Sequence, residues 1–324
     1  MEVYCPKCHS NRVVKNGFIR KNQRFLCKDC DNSFTIKNPQ IKSFDIMVQD
    51  IIEKSLQEDI GTGDHTTLAT IPKNTIGNAK CFIKEDGILA GINFAERVFK
   101  KIDSDCTITI HFEDGALVKK GDVAFTVTGK IHTILSCERL VLNVMQRMSG
   151  IATHTNQIVK QLEGTKCKVF DTRKTTPLIR VLEKWAVRIG GGVNHRFGLY
   201  DIILIKDNHS DYAGGVDKAV LLAKEYLKMN NLSLDIVVEA RTLDEVNKIL
   251  AVGGIKRILL DNMSLAILKE AVTLINGVVQ TEASGNINLQ TARNVALTGV
   301  DYISMGALTH SVKSLDISLK AQIE

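Results

Sequence analysis

FDTRKTTPLIRVLEKWAVRIGGGVNHRFGLYDIILIKDN, residues 170–208, is the stretch of this chain that decides its fold class. A short β-type run, KVF, ends at Phe170, and a second apolar run, IILI, ends at Ile205. Between them, Thr176 and Pro177 predict the start of a helix, and three consecutive glycines predict its end. Two strands joined by one crossover helix are typical of parallel α/β folds.

Basic residues follow both predicted strands. Because the carboxyl ends of parallel strands meet at one edge of a sheet, we expect these side chains to converge there. Such a group suits a polyanionic ligand, whereas separate solvated charges are the alternative explanation for any single member. The group consists of Arg173, Lys174, His195, Arg196 and Lys206.

Length and composition set the broad class. The chain has 324 residues, 44% of them hydrophobic and 24% charged, which predicts a globular protein of about two domains. Its net charge of +6 permits acidic ligands without implying nucleic acid. We find no apolar run long enough to span a bilayer and no apolar signal segment, so we expect no membrane partner and a cytoplasmic location.

Residues 1–36 carry a metal-binding pattern. Cys5 and Cys8 form one CxxC pair, and Cys27 and Cys30 form a second, which is the spacing of a four-thiolate zinc site. Four unrelated thiols are the alternative. The segment resembles the zinc ribbon that opens some insertion-sequence transposases. Its basic residues could contact nucleic acid, although a solvated face is the more common explanation.

The next two segments are a linker and an α+β domain. Residues 37–43 are polar and contain a proline, which indicates the linker. In the domain, residues 44–141, Ser43 caps a predicted helix over 44–57, and turn signals later separate the strands of one open sheet. Two further helices are predicted, one from Ser136 and one over 150–163.

From there to the end of the chain, strands and helices alternate. Six apolar runs read as strands: KVF, DIILI, DIVVE, RILLD, VVQTEAS and DYISMG. Each run ends in polar or glycine residues, so residues 142–324 are predicted to form an irregular parallel α/β barrel with one functional rim. Six strands are fewer than the eight of a complete barrel. The last helix is expected to pack back on the N-terminal domain.

Acidic and glycine-containing segments complete the predicted rim. Glu239 and Asp261 end adjacent strands, and two carboxylates beside a phosphate usually indicate Mg²⁺. The last two rim segments are glycine loops that enter helices, where backbone N–H groups favour a phosphate. Those loops contain Ser284, Gly285, Asn286 and Gly306.

Several long motifs resemble the quinolinate phosphoribosyltransferase family, also called carboxylating nicotinate-nucleotide pyrophosphorylases. They are ERLVLN, DTRKTTP, EKWAV, IKDNH, LLDN, EASGNI and GVDYISMGALTHS. The resemblance implies a transferase that makes nicotinate mononucleotide, pyrophosphate and CO₂ from quinolinate and phosphoribosyl pyrophosphate in NAD synthesis. It also implies Mg²⁺ with the phosphoribosyl donor, and a homodimer or higher even oligomer with shared sites. The ribbon is not part of the usual family pattern.

The same resemblance implies residue roles. Quinolinate carboxylates and nearby phosphates would be bound by Arg139, Arg173, Lys174, His195, Arg196 and Lys206. Mg²⁺ and ribose would be held by Glu239 and Asp261, and phosphate by Ser284, Gly285, Asn286 and Gly306. The residues nearest the chemistry would be Lys174, Lys206, Glu239 and Asp261. Arg139 would reach into the partner subunit's site.

Two departures from the family pattern and two alternative functions accompany this interpretation. Leu178 and Ile179 replace a common Gly-Leu, and Val237 replaces the first acid of an EVE pattern. One alternative is a nucleic-acid-binding regulator that keeps the transferase domain as a ligand sensor. The other is the paralogue found with molybdate transport.

Overall fold

The computed structural model describes residues 12–19, 22–29, 33–35 and 43–322. The first described strands form an antiparallel sheet in the order β1-β2-β3. They are β1 (Val13–Ile19), β2 (Asn22–Cys27) and β3 (Ser33–Thr35). Cys27 ends β2 and is buried, whereas Cys5, Cys8 and Cys30 lie outside the described residues. The four-thiolate zinc site therefore stays a prediction.

Contacts divide the chain into two compact units, Met1–Gly63 and Asp64–Glu324. In the first unit, helix α1 (Phe44–Ile60) begins after Ser43, as predicted, and runs three residues beyond the expected end at 57. The Ser43 hydroxyl oxygen accepts a hydrogen bond from the Ile46 N–H at 3.4 Å, which satisfies one donor of the first turn.

The second unit begins with a mixed region of short helices and antiparallel strands. Its elements are α2 (His65–Thr70), β4 (Ile76–Ile83), β5 (Gly87–Ile88), α3 (Ile92–Ile102), β6 (Thr107–Ile110), β7 (Leu117–Val118) and β8 (Val123–Lys130). β4 pairs with β8 and β8 with β6, while β5 and β7 form a separate two-stranded sheet. The single open sheet expected here is therefore two sheets.

One long helix, α4 (Ile131–Gln161), replaces the two helices predicted between Ser136 and residue 163. The sequence Ser149-Gly150 suggests a break. Gly150 instead lies inside the helix, where a Cβ atom would come within 2.2 Å of the Lys313 carbonyl oxygen. The glycine serves a close approach of the two backbones and does not end the helix.

The rest of the unit alternates strands and helices, as predicted. These elements are β9 (Lys168–Phe170), α5 (Arg180–Ile189), β10 (Ile203–Ile205), α6 (Asp207–Ala213), α7 (Val216–Met229), β11 (Ile236–Ala240), α8 (Leu243–Val252), β12 (Arg257–Asp261), α9 (Leu265–Ile275), β13 (Gln280–Ser284), α10 (Ala292–Ala296), β14 (Tyr302–Ser304), α11 (Ala307–His310) and β15 (Ile317–Gln322). All six predicted strands of the alternating region are present.

These six strands form one parallel sheet in the order β10-β11-β12-β13-β14-β9. β11, the core of β12 and most of β13 are buried, which is typical of parallel sheets covered by helices. Among the described residues, no ladder joins β10 to β9, so the sheet is not closed into a barrel by hydrogen bonds. All six carboxyl ends point to the same edge.

The last element was expected to be a helix and is strand β15. Ile317 and Leu319 are buried and alternate with the more exposed Ser318 and Lys320, which is the period of a strand. β15 pairs antiparallel with β4, so it joins the sheet of the mixed region rather than the parallel sheet. Across the described residues, no helix is long and apolar enough to cross a bilayer.

The start of α5 also differs from expectation. The helix begins at Arg180 rather than at Pro177, and Thr176 does not cap it. Leu178, just before the helix, has φ +69° and is 92% exposed, so the backbone turns sharply there. A leucine in this left-handed region is strained, since glycine adopts it far more readily. This is one of the two positions where the chain departs from the family pattern.

Candidate active site

A cavity of about 970 Å³ lies at the carboxyl ends of the parallel strands. Eleven of the twelve predicted ligand-binding residues line it. They are Arg173, Lys174, His195, Arg196, Lys206, Glu239, Asp261, Ser284, Gly285, Asn286 and Gly306. The twelfth, Arg139, lies on α4 with its side chain 60% exposed and does not line the cavity.

The loop that follows β9 brings Arg173 and Lys174 to the cavity and is held by buried polar contacts. Glu183, on α5, accepts hydrogen bonds from the Thr176 N–H at 3.0 Å and the Thr176 hydroxyl at 2.8 Å. Arg147 of α4 donates to the same carboxylate at 2.8 Å. The Thr309 hydroxyl donates to the Lys174 carbonyl at 2.8 Å. The loop is therefore held from two elements, α5 and α11, and Arg147 of α4 orients the Glu183 carboxylate.

A second buried group holds the segment that carries His195. Asp171 accepts hydrogen bonds from the Lys184 ammonium, from Asn194 Nδ2 at 2.6 Å and from the His195 N–H at 2.8 Å. Lys184 also donates to the His195 carbonyl at 3.1 Å. Burial raises the pKa of Asp171 and lowers the pKa of Lys184, because both charges have left water. The pair fixes the backbone beside the cavity.

The His195 ring contacts protein through both nitrogens. Nδ1 accepts from the Arg196 N–H at 2.7 Å. Nε2 lies 3.5 Å from Glu282 Oε2 and 3.2 Å from Arg257 Nη2. Burial disfavours the Glu282 charge, but contacts with His195 and Arg257 outweigh it, so the pKa of Glu282 is lowered.

The cations of the cavity crowd one another. Burial and the neighbouring Arg173 charge lower the pKa of the Arg196 guanidinium. Within the described residues, Arg173, Lys174 and Lys206 make no ion pair shorter than 4.0 Å. Positive charge held together without carboxylate partners favours a bound anion.

Two carboxylates face these cations from adjacent strands. Burial and the nearby Asp261 charge raise the pKa of Glu239. Asp261 accepts hydrogen bonds from the Ser284 hydroxyl at 2.6 Å and from Asn262 Nδ2 at 2.7 Å. Among the described residues, no third His, Cys, Asp or Glu joins them in a metal-binding group. Two hard oxygen ligands that repel each other suit Mg²⁺ completed by phosphate and water.

The glycine loop after β13 is packed tightly. Gly285 has φ +96°, and a Cβ atom there would lie 2.0 Å from Asn262 Oδ1. Asn286 Nδ2 donates to the same oxygen at 3.3 Å. At Gly306, a Cβ atom would lie 2.7 Å from Lys174 Cδ. Because glycine has no Cβ atom, the backbone at Gly285 can approach Asn262 and the backbone at Gly306 can approach the Lys174 side chain beside the cavity.

Sequence reasoning missed the buried positioning residues. Glu282 and Arg257 belong to predicted strands and Lys184 to a predicted helix, whereas Asp171 directly follows a predicted strand. Patterning treats polar residues at all these positions as exposed, but all four are buried. The usable signal was a charge inside an otherwise apolar strand, as at Glu282 in VVQTEAS. A full charge there needs a buried partner.

A parallel α/β fold whose strand ends gather cations, two carboxylates and glycine loops defines an enzyme of the class that acts on phosphorylated, anionic substrates. The chain belongs to the quinolinate phosphoribosyltransferase family. The family model described as the C-terminal domain matches residues 151–320, and that of the N-terminal domain matches residues 64–149. A third model, the InsA N-terminal domain of zinc-ribbon type, matches residues 1–31.

Named relatives and a solved structure agree with this membership. Quinolinate phosphoribosyltransferase [decarboxylating] 1b of Nicotiana tabacum is 44% identical, with 98% of this chain and 93% of that protein covered. The chloroplastic nicotinate-nucleotide pyrophosphorylase [carboxylating] of Arabidopsis thaliana is 45% identical over 96% and 93%. The nicotinate-nucleotide pyrophosphorylase structure from Francisella tularensis has a TM-score of 0.80 at 40% identity, covering 87% of this chain and 98% of that one.

Proposed function

We propose that this protein is a decarboxylating quinolinate phosphoribosyltransferase of NAD synthesis. It transfers phosphoribosyl from phosphoribosyl pyrophosphate to quinolinate and yields nicotinate mononucleotide, pyrophosphate and CO₂. One observation carries the proposal: cations without carboxylate partners, two carboxylates and two glycine loops line one cavity of about 970 Å³. That set matches two anionic substrates, one bearing carboxylates and the other phosphates.

The cations would bind and orient both substrates. Arg173, Arg196 and Lys206 would pair with the two quinolinate carboxylates, and Lys174 would reach a carboxylate or phosphate. The pyridine nitrogen attacks ribose C1, forming the N–C1 bond as the bond from C1 to the pyrophosphate oxygen breaks. No side-chain nucleophile is required, so the protein acts mainly by holding the reacting atoms in line.

The carboxylates would stabilise the charge that develops at ribose. As pyrophosphate leaves, ribose C1 gains positive oxocarbenium character. The negative charges of Glu239 and Asp261 would stabilise it. Once the nitrogen is quaternary, its positive charge stabilises the electron pair that stays on the adjacent ring carbon when the carboxylate there departs as CO₂. The ring carbon then takes up a proton. A cavity that excludes water strengthens each of these interactions.

Glu239 and Asp261 would also hold Mg²⁺ brought in by the phosphoribosyl donor. When bound, the ion would neutralise charge on the leaving pyrophosphate. The two carboxylates lie on adjacent strands, and burial and the Asp261 charge raise the pKa of Glu239. A bound cation would offset the repulsion between the two negative charges. Ser284 and Asn262 orient Asp261 from behind.

Turnover of the purified protein tests the function. Quinolinate with phosphoribosyl pyrophosphate and Mg²⁺ should give nicotinate mononucleotide and one CO₂ per turnover. Nicotinic acid should be a very poor substrate, because it lacks one carboxylate and would leave part of the cationic cavity unpaired. Equal turnover of both acids, or none of quinolinate, would contradict the proposal.

The N-terminal segment would bind one structural zinc through Cys5, Cys8, Cys27 and Cys30. Support comes from the two CxxC pairs and from the match of residues 1–31 to the zinc-ribbon model. Structural zinc provides roughly 10–16 kcal/mol of apparent binding free energy in such small units. Cys27→Ser should therefore abolish zinc binding while quinolinate turnover changes by less than a few-fold. Full zinc content in that variant would rule this ligand set out.

The active form would be a homodimer in which Arg139 serves the partner's site. Its exposed position on α4, outside its own cavity, supports this assignment. In a two-fold dimer the contribution is reciprocal. Arg139→Ala and Lys206→Ala should each be nearly inactive, yet mixing them should restore about a quarter of wild-type activity, since half the dimers are mixed and each has one intact site. Confirmed subunit exchange without recovery would place Arg139 in its own site.

The compartment remains a prediction. The chain is expected in the cytoplasm, whereas the Arabidopsis relative is named chloroplastic and relatives from Nicotiana glauca and Nicotiana tabacum are named mitochondrial.

A further inference from the structure

Arg147, on α4, joins the two contacts that hold the cation-bearing loop after β9. Its guanidinium donates to Glu183 Oε1 from Nε at 3.2 Å and from Nη2 at 2.8 Å, and Nη2 also donates to the Thr309 carbonyl. Glu183 in turn accepts the Thr176 N–H and hydroxyl. The Thr309 hydroxyl donates to the Lys174 carbonyl at 2.8 Å. Of these described residues, only Lys174 lines the cavity.

The partners of Arg147 are buried, whereas the loop that they hold is exposed. Glu183 and Thr309 are both 0% exposed, and the Arg147 side chain is 27% exposed. Residues 173–174 and 176–178 of the loop are all exposed. A buried carboxylate is costly unless donors surround it, so Glu183 depends on the guanidinium. The planar donor fork of arginine reaches two acceptors at once, which a lysine does not reproduce.

The strained backbone of the loop favours its departure from the observed conformation. Leu178 has φ +69°, a left-handed conformation that a leucine rarely adopts. Strain of this kind persists only where surrounding contacts hold the backbone in place. Before Leu178, those contacts are the hydrogen bonds of Thr176 and Lys174. Arg180 Nε also donates to the Thr175 hydroxyl at 2.8 Å, so the loop keeps one attachment to α5 if the others are lost.

We propose that Arg147 is a positioning residue that holds this loop in the conformation in which Arg173 and Lys174 line the cavity. It acts on the loop through the Glu183 carboxylate and through Thr309 of α11. Without Arg147, a substrate would have to order the loop as it binds, and its apparent affinity would fall in proportion to the ordered fraction. Only this kinetic consequence rests on the function proposed above, because the order of the loop can be measured without turnover.

Hydrogen–deuterium exchange of the full-length protein without substrates measures the order of the loop. The Thr176 N–H donates to Glu183 at 3.0 Å and reports this contact within a peptide that covers residues 172–179. In Arg147→Met this peptide should exchange at least about tenfold faster than in the wild type. Lys160→Met is the matched control, because it removes an exposed cation of α4 outside the cavity, and should exchange like the wild type. Unchanged exchange in a folded Arg147→Met would overturn the proposal.

Kinetics separate positioning of the loop from a general loss of stability. If the loop of Arg147→Met is ordered about a tenth of the time, the KM for quinolinate should rise about tenfold. The kcat should stay within about threefold, because saturating substrate orders the loop. Arg147→Lys should show a smaller rise in KM. A general loss of stability would instead reduce the active fraction and therefore kcat, so a fall in kcat with an unchanged KM would overturn the proposal.

Two variants of Thr176 decide the proposal if Arg147→Met does not fold, because Thr176 lies on the exposed loop. Thr176→Val removes the hydroxyl bond to Glu183 and keeps the side-chain shape, so exchange and the quinolinate KM should each rise about threefold. Thr176→Ser keeps the hydroxyl and should match the wild type. Equal exchange in the two variants would overturn the proposal. If the wild type does not turn over quinolinate, the proposed function fails and the exchange measurements alone decide the role of Arg147.

Discussion

The two edges of the parallel sheet carry similar charges and use them differently. At the amino-terminal edge, Lys256 pairs with Asp235 and Lys166 with Asp301. At the carboxyl-terminal edge, Lys206 faces the cavity with no ion pair within 4.0 Å among the described residues. Charged side chains that are only exposed to solvent can form ion pairs with one another. Charged side chains that bind a ligand must stay free of such ion pairs. Variants matched across the two edges test this difference.

The largest expected effect is on folding, below the cavity. Lys184→Met leaves Asp171 buried without its ion-pair partner, so the free energy of unfolding should fall by about 3–5 kcal/mol. Lys256→Met breaks a pair whose side chains are 45% and 48% exposed, and should cost less than about 1 kcal/mol. Urea unfolding of both variants measures the contrast. Equal decreases in the free energy of unfolding would mean that the buried Lys184–Asp171 pair stabilises the fold no more than the exposed Lys256–Asp235 pair.

Lys206→Ala should have the next largest effect, on catalysis. Removing a charge partner from a substrate carboxylate should lower kcat/KM for quinolinate by the equivalent of about 2–5 kcal/mol. Lys256→Ala should leave kcat/KM within about twofold, because its lysine is outside the cavity. Steady-state kinetics with circular dichroism as a folding control separate the two. A Lys206→Ala enzyme as active as Lys256→Ala would remove this cation from the site.

Two glycines flank β13 and share a left-handed backbone. Gly277 has φ +73° and open space within 4 Å of the point where a Cβ atom would lie, whereas Gly285 has φ +96° with Asn262 Oδ1 at 2.0 Å from that point. Alanine at either position should strain the backbone by about 1–3 kcal/mol. Gly285→Ala should in addition displace Asn262 and raise the KM for phosphoribosyl pyrophosphate. Equal KM values for the two alanine variants would show that the glycine loop does not touch this substrate.

The smallest predicted effect is on the pH dependence of the affinity for Mg²⁺. Because the pKa of Glu239 is raised, its carboxylate binds a proton at a higher pH than an ordinary glutamate. Protons should therefore compete with Mg²⁺ as the pH falls through that raised pKa, weakening its affinity by up to about tenfold per pH unit. Mg²⁺ titrations of activity from pH 8 to pH 5 measure this, with Glu239→Gln expected to show weak, pH-independent binding. Constant affinity in the wild type would exclude Glu239 as a ligand.

Patterning predicted the parallel strands and the residues at their ends, because buried apolar runs and the polar residues after them are local signals. KVF, DIVVE and RILLD each gave a strand, and residues at or just after the end of each strand line the cavity. Side-chain and backbone contacts that periodicity does not encode explain the failures. Thr176 binds Glu183 instead of capping a helix, and Gly150 lies within α4 because the backbone near Lys313 packs against it. Glu183 is seven residues from Thr176, and Lys313 is far from Gly150 in sequence.

The unbroken α4 has a consequence for motion. The two family models meet at residues 149 and 151, which lie inside this 31-residue helix. A continuous helix cannot act as a hinge, and β15 returns from the far end of the alternating region to pair with β4. Opening and closing of the cavity by a rocking of two lobes is therefore disfavoured. We therefore expect substrate entry and product release to depend on the loops after the strands, such as the one that contains Leu178.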